Sequence, residues 1–340
     1  MRLSTDDART RTAPVARLRT TRWTQMMERD IKLCAQGLAR DYAGRRVVDG
    51  IDIELAAGEV LGMLGPNGAG KSTTLRMLAG TLAPSAGRVS LNGHDLAEDA
   101  RTAKQGLGYL PERPPLYPEL TVDEYLSFCA AVHGVPRADR RRAIDAARAD
   151  CGLEDTGRRP IGHLSKGFQQ RVGIAQAIVH RPDVLILDEP TAGLDPNQLR
   201  GVRALVARLA ARHSVILSSH MLSEIQAVAT RVLIVHQGRV VYDAALARHG
   251  DGDTVELLLG ASPAREALLA ITGVVDATAL GSGRWRLAVA PGHDVRATLV
   301  DTAVARGWQL LELTRRAPSL EERFAALTSG SERHAPEAAA

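Results

Sequence analysis

The amino-acid sequence predicts an α/β fold whose core is a mostly parallel, buried sheet. Two observations support this prediction. First, an apolar strand pattern over 60–64 leads into a glycine-rich segment and then into a helix pattern with Leu75 and Leu78 three residues apart. Second, apolar runs of strand length alternate with helical patterns between residues 164 and 236. Such alternation is typical of parallel sheets covered by helices.

The composition favours a chain with two domains and an aliphatic core. The chain has 340 residues, of which 45% are hydrophobic and only 3% are aromatic. No apolar run approaches the ~20 residues needed to cross a bilayer, so we expect no membrane span. Cys34, Cys129 and Cys151 are far apart and match no metal or redox spacing, which predicts reduced thiols.

The N-terminal segment 1–29 holds the net positive charge. It contains seven arginines against three acidic residues, and this excess of four equals the formal net charge of +4 of the whole chain. The balanced remainder predicts no nucleic-acid partner. We expect 1–29 to be a disordered tail, and the composition leaves open a transit peptide or an assigned start that lies too early, so whether 1–25 belong to the mature protein stays open.

The first predicted domain spans residues 30–248. It begins with antiparallel strands over about 30–58, because apolar and polar residues alternate from Ile51 to Leu55. A helical insertion is predicted over about 116–164, where Thr121 and Glu124 form a capping-box pattern. The following elements are predicted as helices over 167–180, 198–211 and 222–229, and strands over 184–187, 215–218 and 232–236.

A second, smaller domain is predicted over residues 253–328. Its pattern is strand, helix, strand, strand, helix, strand, which is typical of a split βαβ unit, an α+β accessory domain. The predicted strands are 254–259, 274–279, 284–290 and 308–314, and the predicted helices are 263–271, 295–306 and 320–327. Residues 329–340 are expected to form a flexible tail.

The segment GPNGAGKST predicts a phosphate-binding loop. Gly-x-x-x-x-Gly-Lys-Ser between a strand and a helix presents backbone N–H groups and a helix N-terminus to a triphosphate. Lys71 is expected to reach the β- and γ-phosphates, and the Ser72 hydroxyl to ligate Mg²⁺. The residues predicted to hold the nucleotide here are Gly65, Pro66, Asn67, Gly68, Ala69, Gly70, Lys71, Ser72 and Thr73.

Two carboxylates at the end of an apolar strand add hydrolytic chemistry. Asp188 and Glu189 directly follow the run over 184–187, so they are unlike surface acids in a turn. Asp188 is predicted to hold Mg²⁺ through water. Glu189 is predicted to polarise the water that attacks the nucleotide.

The segment LSKGFQ, residues 164–169, resembles the LSGGQ signature of ATP-binding subunits of ABC transporters. Lys166 and Phe168 replace the usual residues, and this variant resembles a branch of exporters related to gliding-motility and ABC-2-type systems. The resemblance implies a P-loop ABC cassette with an N-terminal antiparallel β subdomain and a helical insertion. It also implies that Ser165, Lys166 and Gly167 contact a nucleotide held by a second subunit.

Further residues gain a role from the same resemblance. Tyr42 matches the aromatic residue that the family places under the adenine. Asp195 closes a loop that aligns the two subunits, and His220 matches a histidine that contacts the γ-phosphate and acts beside Glu189 and Lys71. Glu112 stands where the family has a glutamine, and a carboxylate there is a candidate cation ligand.

The resemblance implies a cytoplasmic ATPase, bound peripherally at the inner face of the plasma membrane. It uses ATP and Mg²⁺ and forms a head-to-tail dimer with a second copy or a paralogous subunit. A separate transmembrane permease completes the transporter, which is expected to be an exporter. The alternatives are a DNA-repair or chromosome-structure ATPase, a translation factor of the same superfamily, and a regulatory ATP-binding module. Lys71 and Ser165 are 94 positions apart without sustained heptads, which favours the transporter.

Overall fold

The computed structural model describes residues 30–246, 254–290 and 293–316. The predicted tails over 1–29 and 329–340, the predicted helix over 320–327 and the predicted domain boundary near 248–253 lie outside these ranges. Across the three described stretches, no helix combines the length and apolar character that a bilayer crossing needs.

A six-stranded, mostly parallel sheet forms the centre of the first domain, as predicted. Its strands, among the described residues, are β3 (Val60–Leu64), β6 (Leu107–Leu110), β7 (Val184–Leu187), β8 (Ser214–Ser219), β9 (Arg231–His236) and β10 (Arg239–Ala245). Their order is β10-β9-β3-β8-β7-β6, with only β10 antiparallel to its neighbour. Every side chain of β3 and β7 is buried, as expected for strands covered on both faces.

An antiparallel sheet precedes and flanks this centre. It consists of β1 (Ile31–Tyr42), β2 (Arg45–Ala56), β4 (Ala86–Leu91) and β5 (His94–Asp95), in the order β2-β1-β4-β5. Ile51, Ile53 and Leu55 point inward while the alternate residues are more exposed, which confirms the half-buried strand predicted there.

Seven helices accompany these strands in the described part of the first domain. They are α1 (Lys71–Leu78), α2 (Ala100–Gln105), α3 (Val122–Val132), α4 (Arg137–Cys151), α5 (Lys166–Ile178), α6 (Pro196–Leu209) and α7 (Leu222–Val228). Two apolar cores lie on opposite faces of the central sheet. Met63 packs with the antiparallel sheet and α1, whereas Leu64 packs with α3 to α7, because successive strand residues point to opposite faces.

The helical insertion has the N-terminus that the sequence predicts. The Thr121 hydroxyl accepts a hydrogen bond from the Glu124 N–H, and the Glu124 carboxylate accepts one from the Thr121 N–H. This capping box begins α3, whose buried face includes Tyr125 and Leu126.

The C-terminal strands and helices form the predicted split βαβ arrangement. The elements are β11 (Thr254–Leu259), α8 (Arg265–Leu269), β12 (Val274–Gly281), β13 (Arg284–Val289), α9 (Arg296–Ala305) and β14 (Leu310–Arg316). The sheet order is β12-β13-β11-β14, and all pairs are antiparallel. Among the residues that the structure describes, its apolar core is formed within this segment, by residues such as Leu257, Leu287 and Trp308.

Four elements of the first domain were not predicted from the sequence: the two-residue β5, β6, β10 and α2. In α2 only Ala103 is buried, so the helix offers no apolar periodicity to detect. Strand β6 is only four residues long, and β10 alternates between exposed and half-buried positions at a sheet edge, so both strands give weak signals in the sequence.

Candidate active site

Three of the segments predicted to act on a nucleotide meet at one edge of the central sheet. β3, β7 and β8 run parallel, and Leu64 at the end of β3 pairs with Ser219 at the end of β8. The phosphate-binding loop leaves β3, Asp188 follows β7, and His220 follows β8. Because carboxyl ends of parallel strands share one edge, the fold brings these three segments together, as the sequence predicted.

Glycines give the phosphate-binding loop its shape. Gly68 and Gly70 have φ values of 78° and 105°, a left-handed region that other residues rarely adopt. A Cβ atom on Gly70 would lie 2.9 Å from the Val47 carbonyl oxygen, so the loop approaches β2 closely. The loop backbone is thereby curled ahead of α1, whose N-terminus presents its N–H groups to the loop.

Gly238, in the turn between β9 and β10, joins this loop to β2. Its N–H donates to the Ala69 carbonyl oxygen at 2.9 Å, and its own carbonyl oxygen accepts from the Asp49 N–H at 2.9 Å. A Cβ atom on Gly238 would collide with the Val47 carbonyl group. The position therefore requires glycine, with φ of 78°.

Lys71 lies buried at the centre of the loop. Its Nζ donates to the carbonyl oxygens of Gly65 at 2.7 Å and Pro66 at 3.2 Å. The same atom is 3.7 Å from Glu189 Oε1. Burial lowers the pKa of Lys71, and the negative charges of Glu189 and Asp188 oppose that shift. The ammonium group therefore lies against the backbone of the loop that is predicted to bind phosphate.

Asp188 is a buried carboxylate that receives two hydroxyl groups. Its Oδ1 accepts from Ser218 Oγ at 2.7 Å and from Ser72 Oγ at 3.1 Å, while only 2% of the residue is exposed. Burial raises the pKa of Asp188, and the charges of Glu112 and Glu189 raise it further, against the effect of the two serine donors. Oxygen ligands of this kind are those that Mg²⁺ prefers, so these residues fit the ion.

Glu189 is held by contacts on both sides of its carboxylate. Its Oε2 lies 2.9 Å from His220 Nδ1, opposite the contact between Oε1 and Lys71. Its backbone N–H donates to Ser218 Oγ at 2.9 Å, and its φ is 47°, a left-handed value uncommon outside glycine. The strained backbone and the bonded side chain aim the carboxylate at the loop.

The segment that resembles the ABC signature lies at the start of α5. The Ser165 hydroxyl caps the helix by accepting from the Phe168 N–H at 3.4 Å. Ser165 and Lys166 are exposed, whereas Gly167 is buried against the side chain of Gln198. The Lys166 ammonium lies so close to Gly193 that a Cβ there would collide with it.

This segment stands apart from the rest of the site. Within the described stretches, no hydrogen bond or ion pair joins Ser165, Lys166 or Gly167 to the phosphate-binding loop or to the acids after β7. The fold of one chain therefore assembles Lys71 with Glu189 and leaves the signature residues separate.

Tyr42 and Asp195 have local contacts. Tyr42 ends β1, is 39% exposed, and has the Arg40 guanidinium 4.8 Å from its ring centroid. Asp195 caps α6, because its Oδ1 accepts from the N–H groups of Asn197 and Gln198 at 2.9 Å each.

Four residues near the site were missed by the sequence reasoning. Ser218 binds both Asp188 and the Glu189 backbone, and its position at the end of a strand beside β7 could have indicated it. Three more residues, Thr191, Ser219 and Glu224, are hydrogen-bonded to one another below the site. They gave no signal in the sequence, because Thr191 and Glu224 are 33 positions apart and no motif marks the nearer pair of Ser219 and Glu224.

Known proteins resemble this chain along most of its length. It is 31% identical over 306 residues to the linearmycin resistance ATP-binding protein LnrL of Bacillus subtilis (strain 168), covering 87% of this chain and 98% of that protein. It is 33% identical over 323 residues to the daunorubicin resistance ATP-binding protein DrrA3 of Streptomyces coeruleorubidus, covering 91% and 99%.

Family and structural matches agree with these relatives. The family described as ABC transporter matches residues 48–192. A solved ATP-binding subunit of an ABC transporter shares 32% identity and a TM-score of 0.58, covering 63% of this chain and 90% of that one. The chain belongs to the ABC transporter family, as an ATP-binding subunit that hydrolyses ATP to power transport.

Proposed function

We propose that two ATP-binding subunits close head to tail around ATP and drive a drug-type exporter through a separate permease. The second subunit is another copy of this chain or a paralogue. The observation that carries the proposal is the placement of Glu189 between Lys71 and His220 beside the phosphate-binding loop. The signature residues at the start of α5 are the half of the site that the partner would receive.

The loop side of the site would bind the phosphates of the nucleotide. Residues Gly65 to Thr73 would bind the phosphates through backbone N–H groups, with Lys71 as the main cation. Mg²⁺, when bound, would be held by Ser72, by Asp188 through water and with Glu112 as a further candidate ligand, and it would neutralise phosphate charge. Tyr42, at the end of the hairpin that contacts the loop, would stack on the adenine.

The signature side would complete the site from the partner. Ser165 is exposed at the N-cap of α5, so its hydroxyl is available to a γ-phosphate. The positive end of the dipole of this 13-residue helix would point toward the same γ-phosphate. Lys166 adds a cation beside Gly167, and Asp195 orders the neighbouring turn at the start of α6.

Hydrolysis would use the contacts already made within one chain. The Glu189 carboxylate would take the proton of the attacking water, with its orientation set by His220 and its backbone by Ser218. His220 is half-exposed, so its other ring nitrogen can reach a γ-phosphate. Loss of the γ-phosphate removes the group that both subunits hold, and the pair can reopen.

An exposed apolar surface beside α3 is suited to a permease. Phe128 and Val132 are 49% and 68% exposed, and Tyr117 contacts Phe128 edge to face with ring centroids 6.0 Å apart. These residues line a cavity of about 220 Å³ that also includes Pro115 and Tyr125. Exposed apolar patches mark sites of protein association, and this one follows β6 and Glu112 along the chain.

We expect a Phe128→Asp variant to lose its permease while it keeps its own ATPase activity. A charge in the patch would be desolvated by the partner without a matching ion. Affinity purification from membranes, with the membrane protein identified by mass spectrometry, measures the loss. Retention of the same membrane protein by Phe128→Asp would contradict this docking surface.

The relatives suggest the direction and the cargo class. Two are described as resistance proteins for linearmycin and daunorubicin, and others as Nod factor export proteins. We propose that the transporter exports an organic molecule of antibiotic type, with selectivity set by the permease. The ATPase would then act on the cytoplasmic face of the plasma membrane.

The dimer proposal is tested with Glu189→Gln. This variant keeps the shape of the side chain but removes the base, so we expect the hydrolysis rate to fall about a hundredfold or more. Bound Mg-ATP should then accumulate between two chains, and gel filtration should show a protein dimer that contains the trapped nucleotide. ADP should leave the same variant monomeric.

An exposed acid provides the control for this test. Glu98→Gln makes the same chemical change outside the site, at a residue exposed to solvent. It should hydrolyse ATP like the unmodified chain and form no trapped dimer. A Glu189→Gln protein that binds Mg-ATP yet remains monomeric at all protein concentrations would refute the closing mechanism.

A further inference from the structure

A buried carboxylate lies beneath the catalytic pair without touching it. Glu224, in the first turn of α7, is only 4% exposed. Its Oε2 accepts from Thr191 Oγ1 at 2.7 Å and from Ser219 Oγ at 2.6 Å. Its Oε1 lies 3.9 Å from a guanidinium nitrogen of Arg203 on α6. One oxygen thus binds two hydroxyl groups from segments 28 positions apart.

Each of those hydroxyl groups belongs to a segment that carries a reacting residue. Thr191 is two positions after Glu189, in the turn that leaves β7. Ser219 directly precedes His220, at the end of β8, and its hydroxyl also accepts from the Met221 N–H at 2.9 Å. Glu224 is therefore hydrogen-bonded to a residue two positions after Glu189 and to the residue directly before His220. Glu189 and His220 are themselves in contact at 2.9 Å.

The energetics favour a carboxylate for this purpose. Hydrogen bonds from hydroxyl groups to an ionised carboxylate are shorter and stronger than neutral ones. A buried charge is costly unless it is bonded and paired, and Glu224 has two donors and a nearby cation. The strained backbone of Glu189, with φ of 47°, needs surrounding contacts to persist, and the Thr191 contact lies in the same turn.

We infer that Glu224 is a positioning residue for hydrolysis, which holds Glu189 and His220 in register through Thr191 and Ser219. The inference rests on the roles proposed above for Glu189 and His220. It separates two tasks within the site. The phosphate-binding loop retains ATP, whereas the Glu224 network sets the geometry of the water-activating pair and contributes little to affinity.

The test compares substitutions within the network. Glu224→Ala should lower kcat about tenfold to a hundredfold, as expected for lost hydrogen bonds to a charged group, with KM for ATP changed less than about threefold. Glu224→Gln should keep most of the kcat, because its amide oxygen can still accept from both hydroxyl groups. Thr191→Val and Ser219→Ala should each lower kcat, and the double variant should resemble Glu224→Ala.

Thr156→Val provides the matched control. Thr156 is also buried and donates its hydroxyl to a backbone carbonyl, Leu153, in the helical insertion. It should lose comparable thermal stability while kcat stays unchanged. A structural role for Glu224 alone predicts that kcat and KM follow Tm in the same way for both positions.

The possible outcomes separate this inference from the proposed function. A normal kcat in folded Glu224→Ala, or equal losses in Glu224→Gln and Glu224→Ala, would overturn the positioning role. If Glu224→Ala does not fold, additive rather than overlapping effects of Thr191→Val and Ser219→Ala would overturn it instead. A normal kcat in Glu189→Gln would point to a failure of the proposed catalytic roles.

Discussion

The two sides of the ATP site differ in how far a single chain completes them. On the loop side, Lys71, Ser72, Asp188 and Glu189 form one connected set of hydrogen bonds and ion contacts. On the signature side, within the described part of the chain, Ser165 bonds only to its own helix and is exposed to solvent. The first side is a bonded network, and the second is an open helix N-terminus.

This difference indicates which steps one chain performs alone. A prearranged cation and oxygen ligands can bind nucleotide without help, because they need no reorganisation. An open N-terminus contributes only when a phosphate is brought to it. Binding should therefore depend on the loop side, and hydrolysis on both sides. The following variants test this division, from the largest expected effect to the smallest.

Lys71→Ala should weaken ATP binding more than any other variant in this series. The substitution deletes the buried cation that faces the phosphates, and we expect the affinity for ATP to fall about a hundredfold. Isothermal titration calorimetry with the isolated chain measures it. Lys166→Ala deletes a lysine on the other side and should bind ATP with unchanged affinity. Equal losses of ATP affinity in the two variants would contradict the claim that binding depends on the loop side alone.

Ser165→Asp should block hydrolysis while a single chain still binds ATP. Aspartate is a good N-cap, so α5 is retained, but its charge would repel the γ-phosphate offered by the partner. We expect a fall in kcat of about tenfold or more, measured by phosphate release.

Ser165→Asn is the uncharged counterpart that keeps the cap. It should lose less activity than Ser165→Asp, and both should match the unmodified chain in calorimetric ATP affinity. In the Glu189→Gln background, Ser165→Asp should prevent the trapped dimer. A dimer that persists there would show that Ser165 does not face the shared nucleotide.

Asp188→Asn should stabilise the nucleotide-free protein. Burial raises the folded-state pKa of Asp188 above its ordinary value of 3.8, so its ionisation lowers the free energy of unfolding as pH rises from that ordinary value to the raised folded-state pKa. Asparagine carries no charge, and we expect a gain of about 1 kcal/mol near neutral pH. Thermal denaturation across a pH series measures it. The gain should vanish below the ordinary Asp pKa, where both side chains are neutral, and a gain independent of pH would contradict the electrostatic cause.

The sequence was most informative where chemistry and structure share one short segment. The strand, glycines, lysine and serine over 60–73 predicted both an element order and a site, and the order is confirmed. The run over 184–187 likewise predicted a buried strand before Asp188 and Glu189. The identification as an ABC transporter ATP-binding subunit of the exporter branch is confirmed by the relatives. Relatives of this chain are described as ATP-binding proteins for resistance, transport or export, which disfavours the DNA-repair and translation alternatives.

The residues that escaped prediction act through contacts between distant segments. Ser218 is 30 positions from Asp188, and Glu224 is 33 from Thr191, so neither pair forms a local pattern. Serine and glutamate are common surface residues, and only the folded sheet places them beside the two acids that follow β7. The roles of all the predicted site residues stay predictions, since each depends on a bound nucleotide, a metal ion or a second subunit.

The hydrogen bonds of Gly238 indicate a position that is sensitive to substitution although it lies outside every recognisable sequence motif. This glycine joins the phosphate-binding loop to β2, the strand that follows Tyr42 along the chain. A side chain there would push the loop and β2 apart at once. In a genetic screen for loss of the transporter's function, inactivating alleles should therefore recur at a site that no comparison of ATP-binding motifs would flag.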